Sequence, residues 1–175
     1  MPLVTLVGVV LADVGLYLPD FRASERAFQL LTQVAGRAGR SPLGGEVILQ
    51  TFNPDHYVIR AAAQYDFDGF YHTELEYRRR MGYPPFSQLA RLEYRHLQPE
   101  RAKEAACLMA RQIADRIQNS QYTATEIIGP VPCFFSRLNG YYRWQIILRG
   151  TDPLALLQNV SLRGWRVETH PSSLL

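Results

Sequence analysis

Apolar residues follow two different rhythms along this chain, and Pro84-Pro85 divides them. Residues 3–12 (LVTLVGVVLA) are apolar without alternation and rich in β-branched side chains, which predicts a central strand of a parallel sheet covered on both faces. Gly15, Pro19 and Asp20 make residues 13–21 a loop, with Asp20 placed to cap the helix that follows. Phe28, Leu31, Val34 and Ala35 recur at helical spacing in residues 22–36, until Gly36 and Gly39 interrupt them. Gly44-Gly45 leads into a second apolar run, residues 46–52 (EVILQTF). Strand, helix, strand in that order predicts one α/β unit over residues 1–52. Helical spacing returns over residues 55–81 and stops at Gly82-Tyr83-Pro84-Pro85-Phe86, the best boundary signal in the chain.

Beyond it the period drops to two. Residues 88–97 put Leu89, Arg91, Glu93 and Arg95 on one side and Ala90, Leu92 and Tyr94 on the other. Pro99 stands where a first-turn proline belongs, and Ala102, Ala106, Met109, Ile113 and Ile117 carry a helical stripe to about residue 119. Residues 126–135 read as a strand, Asn139-Gly140 as a type I′ hairpin turn, and 141–149 as the returning strand. A short helix at 152–160 and a strand at 165–169 complete β-α-β-β-α-β, the ferredoxin-like split βαβ order. The expected fold class is therefore α/β followed by an α+β ferredoxin-like domain, partitioned as residues 1–54, a helical connector 55–86, and 87–175.

Composition narrows the class. Hydrophobic residues at 47% over 175 residues mark a globular chain with room for one ordinary domain or two small ones. A net charge of +3 permits a nucleic-acid partner without requiring one. Cys107 and Cys133 form no C-x-x-C pair, so neither a zinc site nor a disulfide framework is expected, and a reducing cytoplasm is. The run at 3–12 is about half of what a bilayer requires, and the chain opens without a basic signal-peptide region, so no membrane association is expected.

The chemistry concentrates in Gln33-Val34-Ala35-Gly36-Arg37-Ala38-Gly39-Arg40. Small residues let the backbone approach a ligand closely, and the two arginines project fixed, always-charged donor forks. Phosphoryl transfer needs such charge against the γ-phosphate oxygens in the transition state. A generic G-R-x-G-R is equally explained as a helix ending in glycine with basic residues near its C-terminus. The full Q-x-x-G-R-x-G-R between two apolar strands is much more specific, and it resembles motif VI of superfamily-2 helicases. That resemblance implies Arg40 as the arginine finger, with Arg37 and Gln33 as its partners.

Other blocks narrow the resemblance. Leu18-Pro19-Asp20-Phe21-Arg22, Gln50-Thr51-Phe52-Asn53-Pro54-Asp55-His56-Tyr57, Tyr83-Pro84-Pro85-Phe86, Gly129-Pro130-Val131-Pro132 and Tyr142-Arg143-Trp144-Gln145 are similar to the primosomal protein N′ (PriA) family of replication-restart DNA helicases. The similarity runs over nearly the whole chain. It implies the end of a RecA-like second motor lobe in residues 1–54 and a DNA- or partner-binding domain in 87–175. It also implies a parent that unwinds DNA 3′ to 5′ with ATP and magnesium and assembles a primosome. The implied partners are forked and single-stranded DNA, the single-strand-binding protein and other primosome proteins. The chain departs from the family in having no G-x-x-x-x-G-K-[ST] loop, no D-E-x-H box and none of the zinc cysteines. Alone, it is expected not to hydrolyse ATP.

Two alternatives stand beside this. A D-E-A-H-class RNA helicase shares the motif, although Val34 departs from its pattern and no ferredoxin-like tail belongs there. A non-catalytic nucleic-acid- or protein-binding module is the other. On the hairpin, alternation places Tyr142, Trp144, Ile146 and Leu148 towards a core and Tyr141, Arg143, Gln145, Ile147 and Arg149 on the opposite face. With Arg137, the second set makes either a basic aromatic binding surface or a solvated sheet face. The candidate binding residues are Arg137, Tyr141, Arg143 and Arg149. Arg78-Arg79-Arg80 fits a dipole-compatible helix end better than a DNA contact, and the four histidines show no metal spacing.

Overall fold

The fold is taken from a computed structural model, which describes residues 5–38, 45–118 and 124–175. The chain divides into two compact units, Met1–Tyr77 and Arg78–Leu175.

In the first unit β1 (Leu6–Val9) and β2 (Glu46–Leu49) pair in parallel, Leu6 opposite Glu46 and Val9 opposite Leu49, with α1 (Ala23–Ala38) between them in the chain. The observed strand is shorter than the apolar run foretold. After Val9 the backbone turns through a left-handed Leu11 (φ 57°) into a 3₁₀ turn at Ala12–Gly15. Asp13 in that turn accepts from Thr51 Oγ1 at 2.7 Å and from the amide of Phe52 at 2.9 Å, tying the turn to the end of β2. The Thr51 hydroxyl first, and then the Phe52 amide, hold the Asp13 carboxyl below its ordinary range. Nor are both faces of the strands covered: Leu6 is 59% and Ile48 54% exposed. α1 meets its prediction but continues through Gly36 instead of breaking there.

Residues 55–81 form two helices, α2 (Tyr57–Gln64) and α3 (Phe67–Met81), separated by Tyr65 in a left-handed conformation. They are not a separate connector. Val58, Ile59 and Ala62 of α2 and Phe70 of α3 join Phe28 and Leu31 of α1 in one core, with Phe28 and Phe70 stacked at 4.0 Å between ring centroids. The buried Glu74 carboxylate accepts from Tyr57 Oη at 2.6 Å, and burial pushes the Tyr57 phenol well above its ordinary pKa. The division between units falls inside α3, whereas the sequence placed its boundary at the prolines.

The second unit is an antiparallel sheet in the order β4-β5-β3-β6, made of β3 (Gln88–His96), β4 (Glu126–Leu138), β5 (Tyr141–Gly150) and β6 (Trp165–Thr169). β5 lies between β3 and β4, which α4 (Pro99–Gln118) connects, so the split βαβ order is as foretold. The second helix is reduced to a 3₁₀ turn at Ala155–Leu157. Ala90, Leu92, Ile146 and Leu148 on one sheet face bury themselves against Met109 and Ile113 of α4, and Leu156 and Leu157 complete that core. Tyr142 and Trp144, expected to join it, are only half-buried.

Candidate nucleic-acid interface and nucleotide motif

The opposite face of the sheet was expected to be outward. Its centre is buried: Arg91 is 4% and Glu93 8% exposed, and Gln145 and Ile147 are buried as well. Register explains the cluster, since Arg91 stands opposite Ile147 and Glu168, and Glu93 opposite Gln145 and Arg166. Arg143 grips Glu93 with a two-pronged fork, Nε to Oε1 at 2.9 Å and Nη2 to Oε2 at 2.7 Å. Arg91 donates to the same carboxylate at 3.4 Å and to the Leu175 carbonyl at 3.0 Å. The Arg143 fork, aided by the positive charge of Arg91, holds the Glu93 carboxyl below its usual range against the opposing effect of burial. A polar cavity of about 620 Å³ lies between this cluster and the segment after β6.

Arg143 is therefore paired and mostly covered on a face that alternation left open to solvent or a ligand. A long strand position that alternation labels outward becomes an inner staple once residues beyond β6 lie over it. Arg149 is likewise engaged. It pairs with Glu126, its register partner, and its guanidinium lies 4.9 Å from the centre of the Tyr83 ring. The Gly82-to-Phe86 turn around it is structural: Gly82 has φ 64°, Ser87 Oγ donates to its carbonyl at 2.5 Å, and Arg79 lies over Phe86 at 4.7 Å.

The far end of the hairpin differs. Arg137 lies over the Tyr142 ring at 5.3 Å and Arg95 over Tyr141 at 5.6 Å. Neither arginine has a carboxylate partner among the described residues. β4 also breaks register twice, between Ile128 and Val131 and between Pro132 and Arg137. At the second break, residues 133–136 stand opposite Arg143 alone. Cys133 turns inward, where burial raises its thiol pKa and Arg91 Nη2 lies 3.8 Å from its sulfur. Phe134 and Phe135 turn out, 48% and 58% exposed. The sequence reading missed both rings, and the signal was available: Phe-Phe in a strand needs one ring per face unless a bulge intervenes.

In the first unit, Gln33 is exposed on α1, and the backbone of Arg37 lies in its last turn. The candidate finger, Arg40, lies outside the described residues. Among the described residues no group of three His, Cys, Asp or Glu side chains is arranged to hold a metal ion, and no helix is long and apolar enough to cross a membrane.

These elements define a chain in which a parallel α/β unit carries the arginine motif and a split βαβ sheet carries a basic, aromatic hairpin. The family model for the primosomal protein N C-terminal domain matches residues 79–171, and the chain belongs to that family. Replication restart protein PriA of Bacillus subtilis (strain 168) is 43% identical over 162 residues, covering 91% of this chain and 20% of that protein. The proteins of the same name from Treponema pallidum (strain Nichols) and Haemophilus influenzae are 42% and 41% identical, covering 85% and 89% of this chain. The chain spans about a fifth of these curated relatives' length.

Proposed function

We propose that the chain is the C-terminal portion of an ATP-dependent replication-restart DNA helicase, supplying the arginine half of the nucleotide site and a domain that binds DNA or a protein partner. The observation that carries this is the extent of the relationship. Relatives named for replication restart align over 91% of the chain in the first case, a span that takes in both the α/β unit and the sheet domain. That pairing favours the restart reading over a D-E-A-H-class RNA helicase, for which the sheet domain has no place.

In this reading β1, α1 and β2 are the end of a RecA-like lobe. Gln33 and Arg37 approach the nucleotide from the C-terminal half of α1, and Arg40 neutralises charge on the γ-phosphate as it leaves. ATP and magnesium are held by the phosphate loop of the complete enzyme, because this sequence has none. The sheet domain contributes Arg137 and Tyr141 to binding. Arg143 and Arg149 support that surface by holding the hairpin rather than by touching a ligand.

A chimera tests this. This chain replaces the aligned segment of the Bacillus subtilis relative, and DNA-stimulated phosphate release is measured with and without Arg40→Ala. The chimera should turn over, and the variant should lose about a thousandfold or more in rate with DNA binding intact. Turnover at an undiminished rate in the Arg40→Ala chimera would sink the arginine-finger assignment.

A further inference from the structure

We propose that the free end of the β4–β5 hairpin is a platform for single-stranded nucleic acid, on which Phe134 and Phe135 stack bases while Arg95 and Arg137 take phosphates. This rests on the nucleic-acid-binding reading of the sheet domain and deepens it by naming the strand state and the contact residues.

The bulge is the first argument. Residues 133–136 loop out opposite Arg143, and the loop is held at both sides. Cys133 is buried against Arg91, and Arg143 Nη1 donates to the Phe135 carbonyl at 3.3 Å. The buried Arg91–Glu93–Arg143 cluster thus fixes the backbone from which both rings emerge. Their centroids are 5.0 Å apart with planes at 81°, so they offer faces in two directions. Every base has a π-face, and an exposed aromatic ring is the partner it needs without regard to sequence. Leu138, half exposed, extends the apolar surface at the turn.

Charge is the second argument. No Asp or Glu occurs between Glu126 and Asp152, a stretch that holds Arg137, Arg143 and Arg149. Arg143 and Arg149 are neutralised by Glu93 and Glu126. Arg95 and Arg137 have no carboxylate partner among the described residues and are left to an external anion, each guanidinium lying over a tyrosine ring. Tyr141 and Tyr142 are successive strand residues and face opposite ways, so the two cations lie on opposite sides of the hairpin. A flexible single strand can pass around such a tip, whereas a duplex is stiff over about 150 base pairs and its bases are already stacked. An acidic peptide would bury its apolar side chains in a cleft, but here the rings project from the surface.

The experiment measures fluorescence anisotropy of the full chain with a labelled oligothymidylate, a duplex of equal length and a labelled acidic peptide. Phe134→Ala with Phe135→Ala should weaken oligothymidylate binding roughly tenfold or more per ring, leave the salt dependence unchanged and alter duplex binding by less than about twofold. Phe134→Trp with Phe135→Trp should retain or tighten binding, a rescue that a merely structural role would not give. Arg95→Ala with Arg137→Ala should lower the slope of log affinity against log salt by about 1.4, two phosphates at ~0.7 each. Unchanged oligothymidylate binding by the Phe double variant overturns the platform while leaving DNA binding by the domain standing. Loss of peptide binding in its place overturns it in favour of a protein partner. A wild-type chain that binds neither DNA form removes the underlying reading itself.

Discussion

Glu93 and Arg143 meet through two hydrogen bonds, at 2.9 and 2.7 Å, on a sheet face that strand alternation assigns to solvent. The pair is almost wholly out of water, with side-chain exposures of 9% and 13%, and Arg91 shares the carboxylate. Removing one member leaves an uncompensated charge inside the protein. Glu93→Gln should therefore destabilise the sheet domain by about 3 kcal/mol, within the usual range for a broken buried pair. Urea unfolding checks this, and an unchanged midpoint would show that the pair contributes nothing in solution.

The two hairpin arginines should separate cleanly. Arg143→Ala should cost about as much stability as Glu93→Gln. Arg137→Ala, a surface change, should stay within about 0.5 kcal/mol. Thermal unfolding of both variants beside the parent decides the matter, and equal losses would contradict the assignment of Arg143 to the interior and Arg137 to the surface.

Acid should unfold the sheet domain partly through Glu93. Its folded-state pKa lies below the unfolded value, chiefly because of the Arg143 hydrogen bonds, so the folded state binds fewer protons. Its contribution is complete above the unfolded carboxyl value of about 4.3 and is lost as pH falls through the lower folded one. Stability measured across that window should fall less steeply in Glu93→Gln than in the parent. Parallel curves would exclude the linkage.

In the first unit, Tyr57→Phe deletes the hydroxyl that donates to Glu74 while keeping the ring. A buried carboxylate that loses one of its donors should cost roughly 1–3 kcal/mol. Tyr57→Phe with Glu74→Gln should recover part of that loss, because a neutral amide is cheaper to leave short of a donor than a buried carboxylate. Chemical denaturation of the single and double variants gives the comparison.

Without a phosphate loop, the purified chain should release no phosphate from ATP above background, with or without single-stranded DNA. A coupled phosphate assay is sufficient, and DNA-dependent turnover would mean that another loop in this sequence holds the nucleotide.

Element order was legible because it depends on local periodicity. The alternation of residues 88–97, Pro99 before the α4 stripe, and Asn139-Gly140 between two strands each specify a piece of structure from neighbours alone. They led to the split βαβ order that the sheet displays. The second helix is reduced to a 3₁₀ turn, from which Leu156 and Leu157 still reach the core. Gly36 was read as a breaker, yet α1 runs through it, and among the described residues nothing lies within 4 Å of where its Cβ would stand.

The sequence by itself determined the family, through Q-x-x-G-R-x-G-R and the blocks around it, because such motifs depend on residue identity at short spacing. It also determined that the hairpin would be basic and aromatic. Only the tertiary structure decided which of those arginines are available. Arg143 and Arg149 find Glu93 and Glu126 across strands, 50 and 23 residues away, and are neutralised. Arg95 and Arg137 lie over tyrosine rings and have no carboxylate partner among the described residues. Charge lies in the sequence, but its cancellation depends on distance, and distances across a sheet are set by register.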